Sequence, residues 1–256
     1  MLARAMTATL YGVPGSHPAA TVARALELKG IPFKRVDLLP VTHWALQRLR
    51  FGSRTVPGVV LDGGEKVTGS MAILQRLDEL VPSPPLHPAD PTARADVERA
   101  ERWGDEVLQP LARRVTWVAL RRAPKAMTSF AEGAKLPIPV SVAGLSAAPV
   151  AFVESRVNRA SDENVRADLA NLGHHLDRVD AWIAEGVMAG DAPNAADLQI
   201  GASLRLMLNV ADVAPLIDAR PAGRLARAQF PVFPGHVPAG TLPSGWLPAA
   251  APPPAG

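Results

Sequence analysis

The sequence predicts an α/β domain followed by an all-helical domain, and three observations carry that prediction. Strand, helix, strand, hairpin and helix signals succeed one another up to Val81, five prolines crowd the stretch from Pro82 to Pro91, and beyond them the apolar spacing is helical. The expected division is therefore an α/β domain over residues 1–81, a linker over 82–91, a helical domain over 92–220 and a Pro-rich irregular tail over 221–256. A chain of 256 residues is ample for two domains of this kind.

The first element is a strand, Thr7 to Tyr11, closed by the turn signal Gly12-Val13-Pro14-Gly15. A helix follows, with Pro18 in its first turn, Val22, Ala25 and Leu26 on one face, and Gly30 with Pro32 as its stop. A second strand, Phe33 to Leu38, makes a βαβ unit whose strands must run parallel. After a stretch around Trp44 to Leu49 with some helical character, Thr55 to Thr68 reads as two strands around a tight Gly63-Gly64 turn. Ser70 is placed to cap the next helix, which carries Ile73, Leu74, Leu77 and Leu80.

The prolines of the linker forbid helix and suit a stiff extended connector. Asp90-Pro91 then starts a long helix with Val97, Ala100, Val107, Leu111, Val115 and Val118 facing inward and a bend expected at Pro110. The uncharged stretch Leu136 to Val153 has the length of a membrane span. Pro137, Pro139, Gly144 and Pro149 interrupt it, so it reads as a buried loop or short helix. Val165, Leu169, Leu172, Leu176, Val179 and Ile183 mark a further core-facing helix, and Asn194 with Asp197 opens a segment apolar on nearly every side, which belongs at the centre of a bundle.

Composition removes several function classes. With no cysteine, the chain has no disulfide, no thiolate-bound zinc or iron–sulfur cluster, and no protein thiol as nucleophile. A net charge of +3, from 27 basic and 24 acidic side chains, gives little drive toward nucleic acid or an anionic membrane. Neither partner is expected. The six histidines are scattered, and the adjacent His174 and His175 diverge by about 100° on a helix, so no metal site is expected. The amino terminus shows Arg4 but no apolar run of a secretory signal, and the expected location is cytoplasmic. Gly144-Leu145-Ser146 has the outline of a nucleophile elbow without the strand that should precede it.

Four short motifs acquire meaning in combination. Leu10-Tyr11-Gly12-Val13-Pro14-Gly15-Ser16-His17-Pro18 before a helix, Thr55-Val56-Pro57 before a hairpin, Gly69-Ser70 before the next helix, and Asn194-x-x-Asp197 opening a buried helix follow in order around a proline linker. Over about residues 7 to 215 this pattern resembles the glutathione S-transferase superfamily. The resemblance implies a thioredoxin-like βαβ-ββα domain, a helical-bundle domain, and a serine-type or divergent bacterial member.

It also implies a site. Val56, before a cis Pro57, would pair its backbone with the peptide of glutathione like an added strand. Ser70 would receive the γ-glutamyl carboxylate, with Gly69 at the position that is usually acidic or Gln in the family. His43, Arg50 and Arg54 fall where members often hold the glycyl carboxylate, with solvation at the surface the favoured role for each. Ser16 takes the place of the catalytic hydroxyl: a hydrogen bond to a bound thiolate, or a helix cap and nothing else. Tyr11, inside the first strand, is expected to pack in the core.

Arg113, Arg114, Arg121 and Arg122 share one helix, where a solvated face outweighs a site for an acidic ligand. The implied function is transfer of a small thiol, glutathione or an analogue, to an apolar electrophile, with no permanently bound cofactor and with homodimerisation as in the family. The alternative is a binding or scaffold protein of the same fold without chemistry.

Overall fold

The computed structural model describes residues 6–248. The α/β half runs β1 (Ala8–Gly12), α1 (His17–Leu28), β2 (Phe33–Asp37), α2 (His43–Phe51), β3 (Gly58–Leu61), β4 (Lys66–Thr68) and α3 (Ser70–Leu80). The sheet order is β2-β1-β3-β4. β1 and β2 are parallel with Ala8 opposite Phe33, and β3 runs antiparallel to both β1 and β4. The period-2 pattern of β1 buries Ala8, Leu10 and Gly12, while α1 buries Val22, Ala25 and Leu26 and α3 buries Ile73, Leu74 and Leu77. Gly12 is required there, since a Cβ on it would lie 2.9 Å from Ala19 Cβ in α1.

The β3–β4 connection is four residues, 62–65, and so longer than a two-glycine turn. Asp62–Gly64 forms a single 3-10 turn, in which Gly63 and Gly64 both take positive φ (82° and 87°). Gly69 also has positive φ and is itself the N-cap of α3, so Ser70 is the first helical residue and makes no side-chain cap. The expected Ser70 cap is thereby corrected: glycine takes the left-handed turn into the helix, and the hydroxyl is left without a hydrogen bond among the described residues. The Val56–Pro57 bond is cis, as is Ser83–Pro84.

The helical half comprises α4 (Pro91–Trp103), α5 (Gln109–Arg122), α6 (Met127–Phe130), α7 (Val140–Gly144), α8 (Ala147–Val157), α9 (Asp162–Ala184), α10 (Ala195–Met207), α11 (Ala214–Asp218) and α12 (Pro221–Gln229). The bend anticipated at Pro110 lies earlier, in a π-helical turn, Gly104–Leu108, between α4 and α5. The extra residue of that turn rotates the sequence by one position, so Leu108 is buried where Val107 was expected. Similarly, Trp182 rather than Ile183 completes the buried stripe of α9.

Every residue of α10 is buried, and its start is a capping box in which Asn194 accepts from Asp197 N and Asp197 accepts from Asn194 N. Gly104 admits α10 closely, since a Cβ there would sit 2.8 Å from Ile200. α10 also packs on α1, and Thr21 Oγ1 donates to Leu198 O across the two halves, whose apolar cores are continuous.

The tail reading is corrected at its start; from residue 230 to 248 the chain is largely irregular, as expected. Residues 221–229 form α12, which buries Ala222, Leu225 and Ala226, and the proline-rich segment after it folds back onto the helices. Arg205 Nε donates to Phe230 O, Asn209 Nδ2 to Pro234 O, and Asp212 accepts from Gly240 N and Leu242 N. Pro221 at the helix start explains why proline density misled: proline is at home in a first turn. The last prolines, from Pro252 on, lie outside the described residues, as does Arg4. No helix of the described residues is long and apolar enough to cross a membrane.

Candidate functional site

One cavity of about 560 Å³ lies between the two halves. Its α/β wall is the β1–α1 loop with Ser16 and His17, the segment Leu39–Trp44, and Arg54, Thr55 and Val56 ahead of the cis-proline. Its helical wall is one face of α5, Arg113, Thr116, Trp117 and Leu120, whose spacing of three, four and seven places them side by side. The roof is the uncharged stretch singled out in the sequence: Leu136, Ile138, Val140, Val150 and Val153, carried by a loop and by α7 and α8. The prolines and glycine that disqualify this stretch as a membrane span are what bend it over the cavity. Ser146 is no nucleophile elbow, since it joins two helices and donates its hydroxyl to Ala143 O.

Ser16 is the N-cap of α1, and its Oγ accepts from Ala19 N at 3.3 Å. Capping uses the oxygen as acceptor and leaves the hydroxyl proton free to donate. The hydroxyl also stands at a helix N-terminus, where unpaired N–H groups and the macrodipole favour an anion. Ser16 borders a second, smaller groove of about 290 Å³ between α1 and Phe230–Pro234, so the folded-back tail forms part of its surroundings.

Val56 is half-buried, and neither its N–H nor its C=O is hydrogen-bonded among the described residues, which leaves a short free edge facing the cavity. Pro57 O accepts from Gly69 N at 3.1 Å, tying the cis-proline to the start of α3. Gly69 and Ser70 therefore lie next to the cis-proline and are not among the residues that line the cavity. Arg54 is exposed with its guanidinium over the Trp44 ring, 5.6 Å from its centre. Tyr11 stands apart, half-buried, with Phe51 edge-on at 5.4 Å and Arg50 over its ring at 4.6 Å.

His43 is buried rather than solvated, and desolvation lowers its pKa to about 4. It is neutral near pH 7. His17, fully buried, is held well below its usual pKa by desolvation first and then by the nearby Arg113 cation. Four polar atoms of cavity-lining residues are buried without a hydrogen-bond partner among the described residues: His17 Nε2, His43 Nδ1, Arg113 Nε and Thr116 Oγ1. Among the described residues no group of three acidic or histidine side chains is placed to hold a metal ion.

Sequence reasoning missed Arg113 as a cavity residue. It grouped four arginines on one helix as a solvated face, and three of them are so used: Arg114 forks onto Asp168 at 2.6 and 2.7 Å, while Arg121 and Arg122 both reach Asp162. Arg113 makes no ion pair among the described residues. Its i, i+3, i+4, i+7 companions Thr116, Trp117 and Leu120 were the available signal, because they place it on an apolar stripe.

Comparison with known proteins agrees with this architecture. Residues 10–85 match the family model of the glutathione S-transferase N-terminal domain. No curated protein matches the chain. Among solved structures, a glutathione S-transferase from Rhodospirillum rubrum F11 is similar at TM-score 0.55 and 21% identity, over 92% of this chain and 98% of that one. A β-etherase from Sphingobium sp. strain SYK-6 gives TM-score 0.59 and 20% identity over 87% and 99%. A glutathione S-transferase from Methylobacterium radiotolerans JCM 2831, in complex with glutathione sulfonate, gives 0.52 and 20% over 87% and 89%. At these identities the structural likeness speaks for the fold. Residues 10–85 thus match the N-terminal domain of the glutathione S-transferases, and the chain as a whole shares the two-domain fold of the solved transferases.

Proposed function

We propose that the protein transfers a small thiol, glutathione or an analogue, to an electrophile with an apolar body. The supporting observation is that Ser16, with its free hydroxyl proton, and the unpaired backbone edge of Val56 line one apolar cavity together with the helical half. The peptide of the thiol pairs with the Val56 backbone. The first turn of α3, Ser70 with Gly69 before it, receives the γ-glutamyl carboxylate, and Arg54 supplies a cation for the glycyl carboxylate. His43, being neutral, offers a hydrogen bond there rather than a charge.

Ser16 Oγ–H donates to the bound sulfur once its proton has left to solvent. A thiol titrates near 8.5 and one pKa unit is worth about 1.36 kcal/mol. A charge-assisted hydrogen bond of about 1.5–3 kcal/mol therefore lowers it by roughly one to two units, which raises the thiolate share near pH 7 from a few per cent to between about a quarter and three quarters. The thiolate then attacks the electrophilic carbon held in the cavity. A sulfur–carbon bond forms and the leaving group departs with its bonding electrons, or an activated double bond takes them up. Catalysis comes from thiolate stabilisation and proximity.

Calorimetric titration with glutathione and with other cellular thiols tests the reading. Saturable binding of one thiol, followed by turnover with a generic aryl halide, is the expected result. Binding without turnover would favour a non-catalytic role on the same fold. Homodimerisation belongs to the same reading, and light scattering that returned a 27.0 kDa particle at micromolar concentration would refute it.

A further inference from the structure

We propose that the electrophile is amphipathic and carries a carboxylate, which Arg113 binds inside the cavity; the inference concerns the electrophile side of the proposed thiol-transfer site and rests on that reading. Arg113 projects from α5 on the same stripe as Thr116, Trp117 and Leu120, in a cavity roofed by Leu136, Ile138 and Val153. A guanidinium in such a lining has lost much of its hydration, and desolvation lowers its pKa below the usual arginine value. The compensation expected is an ion pair, and none is made among the described residues.

The acidic groups that act on it electrostatically, Asp105 and the cavity-lining Glu154, make their hydrogen bonds to other groups and none to Arg113. Asp105 Oδ1 accepts from Gln109 Nε2 at 2.8 Å and from Gln199 Nε2 at 3.0 Å. Glu154 accepts from Val41 N at 3.3 Å and from Asn158 Nδ2 at 3.1 Å. Thr116 Oγ1, one turn along α5 from Arg113, and His17 Nε2, on the α/β wall, are further unpartnered polar atoms of cavity-lining residues. A carboxylate entering the cavity would take the fork of Arg113 and one of these neighbours, while its apolar body fills the space under the roof. Ser16 and Arg113 line the same cavity, so an acid anchored on Arg113 occupies the space in which the proposed thiolate stands.

The test uses a matched pair of electrophiles, an aryl halide bearing an alkanoic acid side chain and its methyl ester, assayed with the wild type, Arg113→Gln and Arg113→Lys. In the wild type the acid should exceed the ester in kcat/KM by about tenfold or more, the discrimination expected of a charge-assisted hydrogen bond. Arg113→Gln should abolish that preference through the acid's KM while the KM for the thiol stays unchanged, and Arg113→Lys should keep part of it. Equal rates for acid and ester in the wild type, an equal loss for both in Arg113→Gln, or a rise in the thiol's KM instead would overturn the proposal. A separate titration with an unreactive arylalkanoic acid and its amide, without thiol, reads the site should turnover fail. Binding of the acid alone that disappears in Arg113→Gln upholds the anion site; equal binding of acid and amide removes it.

Discussion

Two of the buried polar clusters in this molecule are built on opposite terms. Where the linker crosses between the halves, Lys29 Nζ pairs with Asp78 and donates to Val81 O and Pro84 O, while Asp78 also accepts from Leu86 N, His87 N and His87 Nδ1. His87 Nε2 lies 3.1 Å from Glu101 Oε2, and only Glu101 Oε1 lacks a partner among the described residues. In the cavity, by contrast, Arg113, Thr116, His17 and His43 each leave a buried polar atom unpaired. A saturated cluster holds the fold together, and an unsaturated one gains its missing bonds from what it binds.

The sharpest way to break that distinction is to remove one partner from each cluster. His87→Ala leaves the Asp78 and Glu101 carboxylates buried without their shared cation, and the loss should be about 3–5 kcal/mol in denaturant unfolding. A loss below about 1 kcal/mol would show that the linker is not stapled by this network.

The two clusters also respond oppositely to pH. Hydrogen bonds and charges from Asp78 and Glu101 overcome desolvation and raise the His87 pKa to about 9. Its stabilisation is full below the unfolded value near 6.5 and is lost as pH rises through 9. Burial lowers His43 to about 4 and His17 well below its ordinary value, so the folded state binds fewer protons than the unfolded one below about pH 6.5, and stability falls as pH drops. Unfolding measured across pH should therefore decline on both sides of neutrality, and His87→Ala should remove much of the alkaline decline while leaving the acid one.

Smaller effects follow. Asn194→Ala opens the capping box of α10 and should cost about 0.5–2 kcal/mol by the same measurement. Thr116→Val replaces an unpaired buried hydroxyl with a group of like shape and should change stability by less than about 0.5 kcal/mol, or raise it. A loss larger than that of the cap variant would mean that the Thr116 hydroxyl is already satisfied, and the contrast between the clusters would weaken.

Much of the fold was legible because its signals are local. The βαβ order, the Gly63-Gly64 turn, the Pro57 hairpin entry and the Asn194 cap each depend on residues close in sequence. What was misread depends on tertiary placement. The π-turn at Gly104–Leu108 follows from the close approach of α10, which no local pattern records. The folding back of the tail was not legible because its partners, Arg205, Asn209 and Asp212, lie some 25 to 30 residues earlier.

The site divided along the same line. Ser16, Val56, His43 and Arg54, recognised from motifs, come together at one cavity, whereas Gly69 and Ser70 are not part of its lining. Arg113 escaped notice because its distinction from Arg114 is one of direction, 100° around a helix, and only the fold shows which of the two meets Asp168.

The central claim, that the cavity presents a thiolate-stabilising hydroxyl, is tested most directly by the pH–rate profile of Ser16→Ala against the wild type with a generic electrophile and saturating thiol. The account predicts unchanged thiol affinity, a rate at pH 7 lower by roughly tenfold, and partial recovery at high pH as the apparent pKa of the bound thiol rises by about one to two units. A mutant that loses only the stability of a helix cap, about 0.5–2 kcal/mol, and keeps the wild-type rate and profile would contradict it.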